Sequence, residues 1–153
     1  MPYVVCFCVV FAAKMIAYVS DNLVGAICCR IETTESKEEG GAAINKLYIM
    51  TLGVLAPYRQ LGIGKQLVSK VLDYVEKTPE LNLSEVYLHV QTSNDTAQTF
   101  YGKFGFSVTG TIENYYKVYI YIYDHLVCVI RATFSKSLFT IISHLLHHHT
   151  YRY

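Results

Sequence analysis

The stretch that most constrains this chain is Leu47 to Lys70, LYIMTLGVLAPYRQLGIGKQLVSK. Leu47 to Leu52 is apolar and rich in strand formers. Pro57 and the Gly62/Gly64 pair then break the extended run. From Ile63 the apolar residues Leu67, Val71 and Val75 recur every four positions, with Val68 and Leu72 beside them, which is one face of a helix. Strand, turn and helix therefore follow in direct succession, the helix starting near Gly62. Its first backbone N–H groups have no partner within the helix and sit at the positive end of its dipole, which suits a phosphate. Gly62 and Gly64 lack a Cβ, so a bulky ligand can lie on the backbone. Arg59 adds a cation at the mouth of the turn. An ordinary tight turn has the same ingredients. Two glycines without a third exclude a dinucleotide fingerprint, and the GxxxxGK[ST] pattern of a P-loop is absent.

Around this centre the chain reads as α/β. Met1 to Ala13 is continuously apolar and ends at Lys14. It is too short to span a bilayer and has no basic residue before the apolar run, so a strand is preferred to a signal segment. Ala17–Val19 and Leu23–Ile31 read as strands around the turn Ser20-Asp21-Asn22. With Lys46–Leu52 they are expected to form an antiparallel meander, Glu32 to Gly41 being a solvated loop. Pro79 marks a break after the helix. Glu85 to Val90 alternates as a strand, with Val86, Leu88 and Val90 on one face and Tyr87, His89 and Gln91 on the other. Ser93-Asn94-Asp95 offers caps for a helix over Thr96–Phe104, which Gly105 ends. Phe106–Val108 and Tyr115–Tyr119 read as closing strands. From Ile120 the pattern degrades, apart from a helical face over Ser137–Leu146. His144, His147, His148 and His149 have no carboxylate or cysteine partners at ligand spacing, so no metal is assigned.

The length is that of one domain. A net charge of +1 gives no footprint for nucleic acid. Five cysteines, an odd number with no CxxC, argue against a disulfide framework or a zinc site and for a reducing, intracellular compartment. No membrane span is read.

Arg59-x-x-Gly62-x-Gly64 matches the pyrophosphate signature of the GNAT acetyltransferases. LYIMTLGVLAPYRQLGIG, VYLHVQTSND and FYGKFGF with NYYK resemble the NatE-type N-alpha-acetyltransferases, which acetylate protein N-termini beginning with Met. The similarity runs from about Ala13 to Lys117. It divides the chain into a divergent start (1–12), a GNAT domain (13–119) and a divergent tail (120–153). The implied fold is α/β, a mixed and mostly antiparallel central sheet with flanking helices, here without the family's N-terminal strand and helices. The implied cosubstrate is acetyl-CoA, held by Leu52, Gly53, Val54, Arg59, Gln60, Leu61, Gly62, Ile63, Gly64 and Lys65, with Asn94 and Tyr101 on a second wall.

The same resemblance assigns chemistry. An N-terminal ammonium has a pKa of about 8, so only a modest base is needed. Tyr48 and His89 are implied to hold the water that takes its proton, and Tyr101 to protonate the departing thiolate. Without the resemblance, His89 reads as a packed or surface imidazole, Tyr48 as a strand aromatic and Tyr101 as core packing. Met50, Tyr115 and Tyr116 are implied to contact the substrate, a protein N-terminus or nascent peptide whose Met precedes a hydrophobic residue. Two departures bear on that pocket. Tyr119 stands where the family has a smaller aliphatic residue, and the loop that closes the peptide site has no counterpart. The family also implies association with the NatA complex at the ribosome and a cytoplasmic location, with the nucleus as a second compartment. The rival reading is a truncated, non-catalytic form that keeps cofactor or partner binding. Lysine side-chain acetylation and small-molecule amine acetylation share the same cofactor motif.

Overall fold

The computed structural model describes residues 3–9, 12–34, 43–112 and 127–133. These fall into two compact units, Met1–Ser84 and Glu85–Tyr153.

The first unit is a four-stranded antiparallel meander with a helix on one face. Strands β1 (Tyr3–Val9), β2 (Ala12–Val19), β3 (Asn22–Thr34) and β4 (Ile44–Val54) pair in chain order. The expected meander is thus present, with longer strands than the local pattern shows. β1 pairs along its whole length with β2, Tyr3 opposite Tyr18 and Val9 opposite Ala12, and no helix lies between them. The β2–β3 turn uses Ser20 and Asp21 at positive φ (47° and 66°), and the Asn22 side-chain amide donates to the Ser20 carbonyl at 3.2 Å. Asp and Asn tolerate such turns because their side chains hydrogen-bond locally.

Helix α1 (Ile63–Lys77) buries Ile63, Leu67, Val68, Val71, Leu72 and Val75, the stripe its apolar spacing predicts. It packs on β2, β3 and β4. Met15, Ala17, Val24, Ile27, Cys29, Leu47 and Ile49 complete the buried set of this unit. The helix ends where Thr78 Oγ1 donates to the Tyr74 carbonyl at 2.7 Å, just before Pro79.

The second unit carries strand β5 (Leu83–Gln91, its first residues before the boundary), helix α2 (Asp95–Gly102), and strands β6 (Ser107–Ile112) and β7 (Val127–Thr133). β7 runs between β5 and β6 and is antiparallel to both. The sequence reading assigns no element to 127–133. The apolar run there has no clean alternation, and its partners lie far away in sequence, from Ile112 opposite Val127 to Glu85 opposite Thr133. The expected strand Tyr115–Tyr119, the helix over Ser137–Leu146 and the histidine cluster lie outside the described residues.

Within α2, Asn94 caps the start: its side-chain oxygen accepts from the Ala97 N–H at 3.0 Å. The end closes in two bonds, Gly105 N–H to the Gly102 carbonyl at 3.0 Å and Phe106 N–H to the Tyr101 carbonyl at 3.4 Å. With Gly105 at φ 79° this is a Schellman closure. The Tyr101 and Phe106 rings, 5.6 Å apart, make the apolar contact that accompanies it.

Candidate functional site

The site of the first unit is built at the end of β4. After Val54 the chain turns through a short 3-10 segment, Ala56–Tyr58, and enters α1 at Gly62. Leu55 N–H donates to the Val24 carbonyl at 2.8 Å, tying the turn to β3. Gln60 (φ 64°) and Gly62 (φ 77°) both take left-handed backbone. Gly62 caps α1 without a side-chain hydrogen bond. The opening N–H groups of the helix therefore point away from its own carbonyls with no side chain on them. A Cβ built on Gly62 meets nothing within 4 Å, so open space lies beside those amides. The turn is a cradle that fits an anionic group.

Of the residues assigned to this cradle, Gly53, Arg59, Gln60, Leu61, Gly62 and Lys65 are exposed, and Leu52, Val54 and Gly64 half-buried. Ile63 is the exception: its side chain is 1% exposed and belongs to the core, so only its backbone amide is available to a ligand. Arg59 does not extend freely. Its Nε donates to the Val54 carbonyl at 3.0 Å, folding the side chain across the turn and leaving the two terminal nitrogens of the guanidinium for an anion.

Gly25, which the sequence reading leaves without a role, is what lets the helix sit this close. A Cβ there would stand 3.1 Å from the Gly53 carbonyl, 3.3 Å from Ile63 Cγ2 and 3.4 Å from Leu67 Cδ1. An isolated glycine inside a strand is the available signal for such close approach.

Tyr48 and Met50 lie further back along β4. The ladder pairs Cys28 with Thr51 but Cys29 with Ile49, so Met50 has no residue opposite it and forms a bulge. Burial changes phase there: Leu47 and Ile49 are buried, whereas Met50 and Thr51 are both exposed. The bulge thus turns two adjacent side chains out of the core. Tyr48 is half-buried and faces Arg30, its direct partner on β3. The Arg30 guanidinium lies over the Tyr48 ring, 5.5 Å from its centroid. Arg30 and its contact with Tyr48 were missed by the sequence reading, because an exposed strand arginine shows its partner only once the register is known.

In the second unit, His89 is half-buried on β5 and its ring meets that of Tyr87 edge-on at 5.8 Å. Glu85, on the same face, is buried and lies 3.7 Å from an Arg131 terminal nitrogen on β7. Asn94 uses its oxygen as the α2 cap described above. Tyr101 is buried in an aromatic cluster with Phe100, Phe104 and Phe106. Tyr115 and Tyr116 lie outside the described residues. Among the described residues, no three His, Cys, Asp or Glu side chains gather as a metal site, and no helix is long and apolar enough to cross a membrane.

A meander whose last strand runs through a glycine turn into an anion-cradling helix defines the class: a mixed α/β, mostly antiparallel GNAT fold. Residues 6–106 match the acetyltransferase (GNAT) family, and the chain belongs to that family. It is 47% identical over 102 residues to N-alpha-acetyltransferase 50 of Danio rerio, covering 67% of this chain and 55% of that protein. It is 46% identical over 102 residues to a probable N-acetyltransferase, san, of Drosophila melanogaster, covering 67% of this chain and 50% of that one. The chain thus spans about half the length of these relatives. Among solved structures it is similar to Arabidopsis thaliana Naa50 in complex with the bisubstrate analogue CoA-Ac-MVNAL. The identity there is 49% and the TM-score 0.63, covering 79% of this chain and 72% of that one.

Proposed function

We propose that this chain is an N-alpha-acetyltransferase that moves an acetyl group from acetyl-CoA to the α-amine of a protein N-terminus beginning with Met. The observation that carries the reading is the cradle at Gly62: unpaired helix amides, open space where a side chain would stand, and the Arg59 guanidinium beside them. Those groups fit the diphosphate of coenzyme A. The peptide side rests on the resemblance to the Arabidopsis protein, which is seen with an acetylated Met-Val peptide joined to coenzyme A.

In this reading acetyl-CoA supplies the thioester carbonyl. Arg59 and the amides of residues 62 to 65 bind its diphosphate and orient it. By the resemblance, Tyr48 and His89 are each assigned a part in passing the ammonium proton to water, which frees the amine to attack. The Tyr101 hydroxyl returns a proton to the departing sulfur. Met50, which the bulge turns out of the core, is assigned by the resemblance to contact with the substrate Met, as are Tyr115 and Tyr116. Association with NatA at the ribosome and a cytoplasmic location form part of the proposal. They rest on the resemblance, and co-sedimentation of tagged protein with ribosomes tests them.

The direct test is steady-state turnover on a Met-Leu peptide with acetyl-CoA, against the same peptide with a blocked N-terminus. Acetylation of the free peptide alone is expected. Acetylation of polyamines with no peptide turnover would overturn the peptide reading. Coenzyme binding without any turnover would establish a non-catalytic form instead.

A further inference from the structure

We propose that Arg30 is a positioning residue for Tyr48, a role that rests on Tyr48 holding the proton-accepting water. The two residues stand directly opposite in the β3–β4 ladder. The guanidinium is over the Tyr48 ring at 5.5 Å, inside the range of an attractive cation–π contact. Arg30 is itself held. Its Nε donates to Glu32 Oε1 at 3.1 Å, and a second donor of the same guanidinium reaches the same oxygen. Glu32 lies two residues along the strand, so it shares the face of Arg30 and Tyr48 and stands opposite Lys46.

The physical need is clear from the geometry of a tyrosine. Its hydroxyl sits at the far end of a rigid ring, so a small tilt at χ1 or χ2 moves the oxygen by a large fraction of a hydrogen-bond length. Tyr48 is only half-buried, so core packing does not fix that tilt on every side. A planar cation over the ring, 5.5 Å from its centroid, restrains that tilt. An untethered arginine would have too much rotamer freedom to do so. Glu32 removes that freedom by fixing the guanidinium fork. Lysine at position 30 would keep the charge but lose both the plane and the fork.

The test is Arg30→Met, Arg30→Lys and Glu32→Gln, each in the wild-type and Tyr48→Phe backgrounds, with kcat and KM measured for acetyl-CoA and a Met-Leu peptide. Arg30→Met is expected to lower kcat by about fivefold, the worth of one cation–π contact, without changing KM for acetyl-CoA. Arg30→Lys is expected to recover part of that loss, and Glu32→Gln to show a smaller loss in the same direction. In the Tyr48→Phe background Arg30→Met should lose nothing further. A second readout needs no activity: with ring-labelled tyrosine, the Tyr48 resonance, assigned by its absence in Tyr48→Phe, should move in Arg30→Met or, if that variant fails to fold, in Glu32→Gln. An equal loss in both backgrounds, or an unmoved Tyr48 resonance, would overturn the role of Arg30. A fully active Tyr48→Phe would instead remove the reading of Tyr48, and the positioning role with it.

Discussion

Cys28 and Cys29 are sequence neighbours on opposite faces of β3, and both are free thiols. Cys29 is buried, and burial first, then the adjacent Cys28, pushes its pKa up from 9.0 to about 12. The folded state therefore keeps this proton where the unfolded chain releases it. The stabilisation is fully present below pH 9.0 and is lost as the pH rises towards about 12. Chemical denaturation at stepped pH should show stability falling through this window, and falling less steeply in Cys29→Ala. Identical slopes would mean that the Cys29 thiol is not the group responsible. Tyr48→Phe and His89→Ala belong to the same scale. Each removes one holder of the proposed water, so each is expected to lower kcat by roughly 10²-fold while leaving acetyl-CoA binding intact. Full kcat in either variant would remove that residue from the chemistry.

At the scale of elements, the helices obey rules that are visible in one dimension. The α1 stripe from Ile63 to Val75 is the one its periodicity gives, and Gly62 stands where a helix must begin after left-handed backbone. Asn94 and Gly105 do at α2 what their residue types favour. Gly105→Ala forces a Cβ into φ 79° and is expected to cost about 1–2 kcal/mol of stability, measured by urea unfolding. A change within 0.5 kcal/mol would show that the Schellman closure contributes little. What the sequence hid is everything that depends on a distant partner. The bulge at Met50 exists only in the register against Cys28 and Cys29. β7 is defined by pairing with β5 and β6, not by any pattern of its own. Arg30 looks like a solvated strand residue until Tyr48 is set opposite it. The turn was legible because it carries its chemistry locally, in backbone amides and glycines, whereas Tyr48, His89 and Tyr101 are candidates only through the family resemblance. The contacts that aim them were not legible, because those are made across strands.

For the whole molecule, the turn between β4 and α1 couples fold and ligand. The groups that would hold the diphosphate are the same ones that end β4, bind back to β3 and start the helix. A ligand bound only by the folded state stabilises it by mass action, about 2.7 kcal/mol at a hundredfold excess over Kd. Acetyl-CoA is therefore expected to raise the melting temperature, and free acetate is not. Gly62 is the position at which this account is most exposed. Its Cβ site is empty of protein atoms, so an added carboxylate enters the space assigned to the diphosphate. At φ 77° any side chain also costs about 1–2 kcal/mol of stability. The variant is therefore titrated only where unfolding shows it folded, with Gly62→Ala as the control for backbone strain. The decisive measurement is calorimetric titration of folded wild-type protein and Gly62→Asp with acetyl-CoA. The account predicts saturable binding at one site by the wild type and at least a tenfold loss of affinity, roughly 1.4 kcal/mol, in the variant. No binding by the folded wild type, or equal affinity in both proteins, would contradict it.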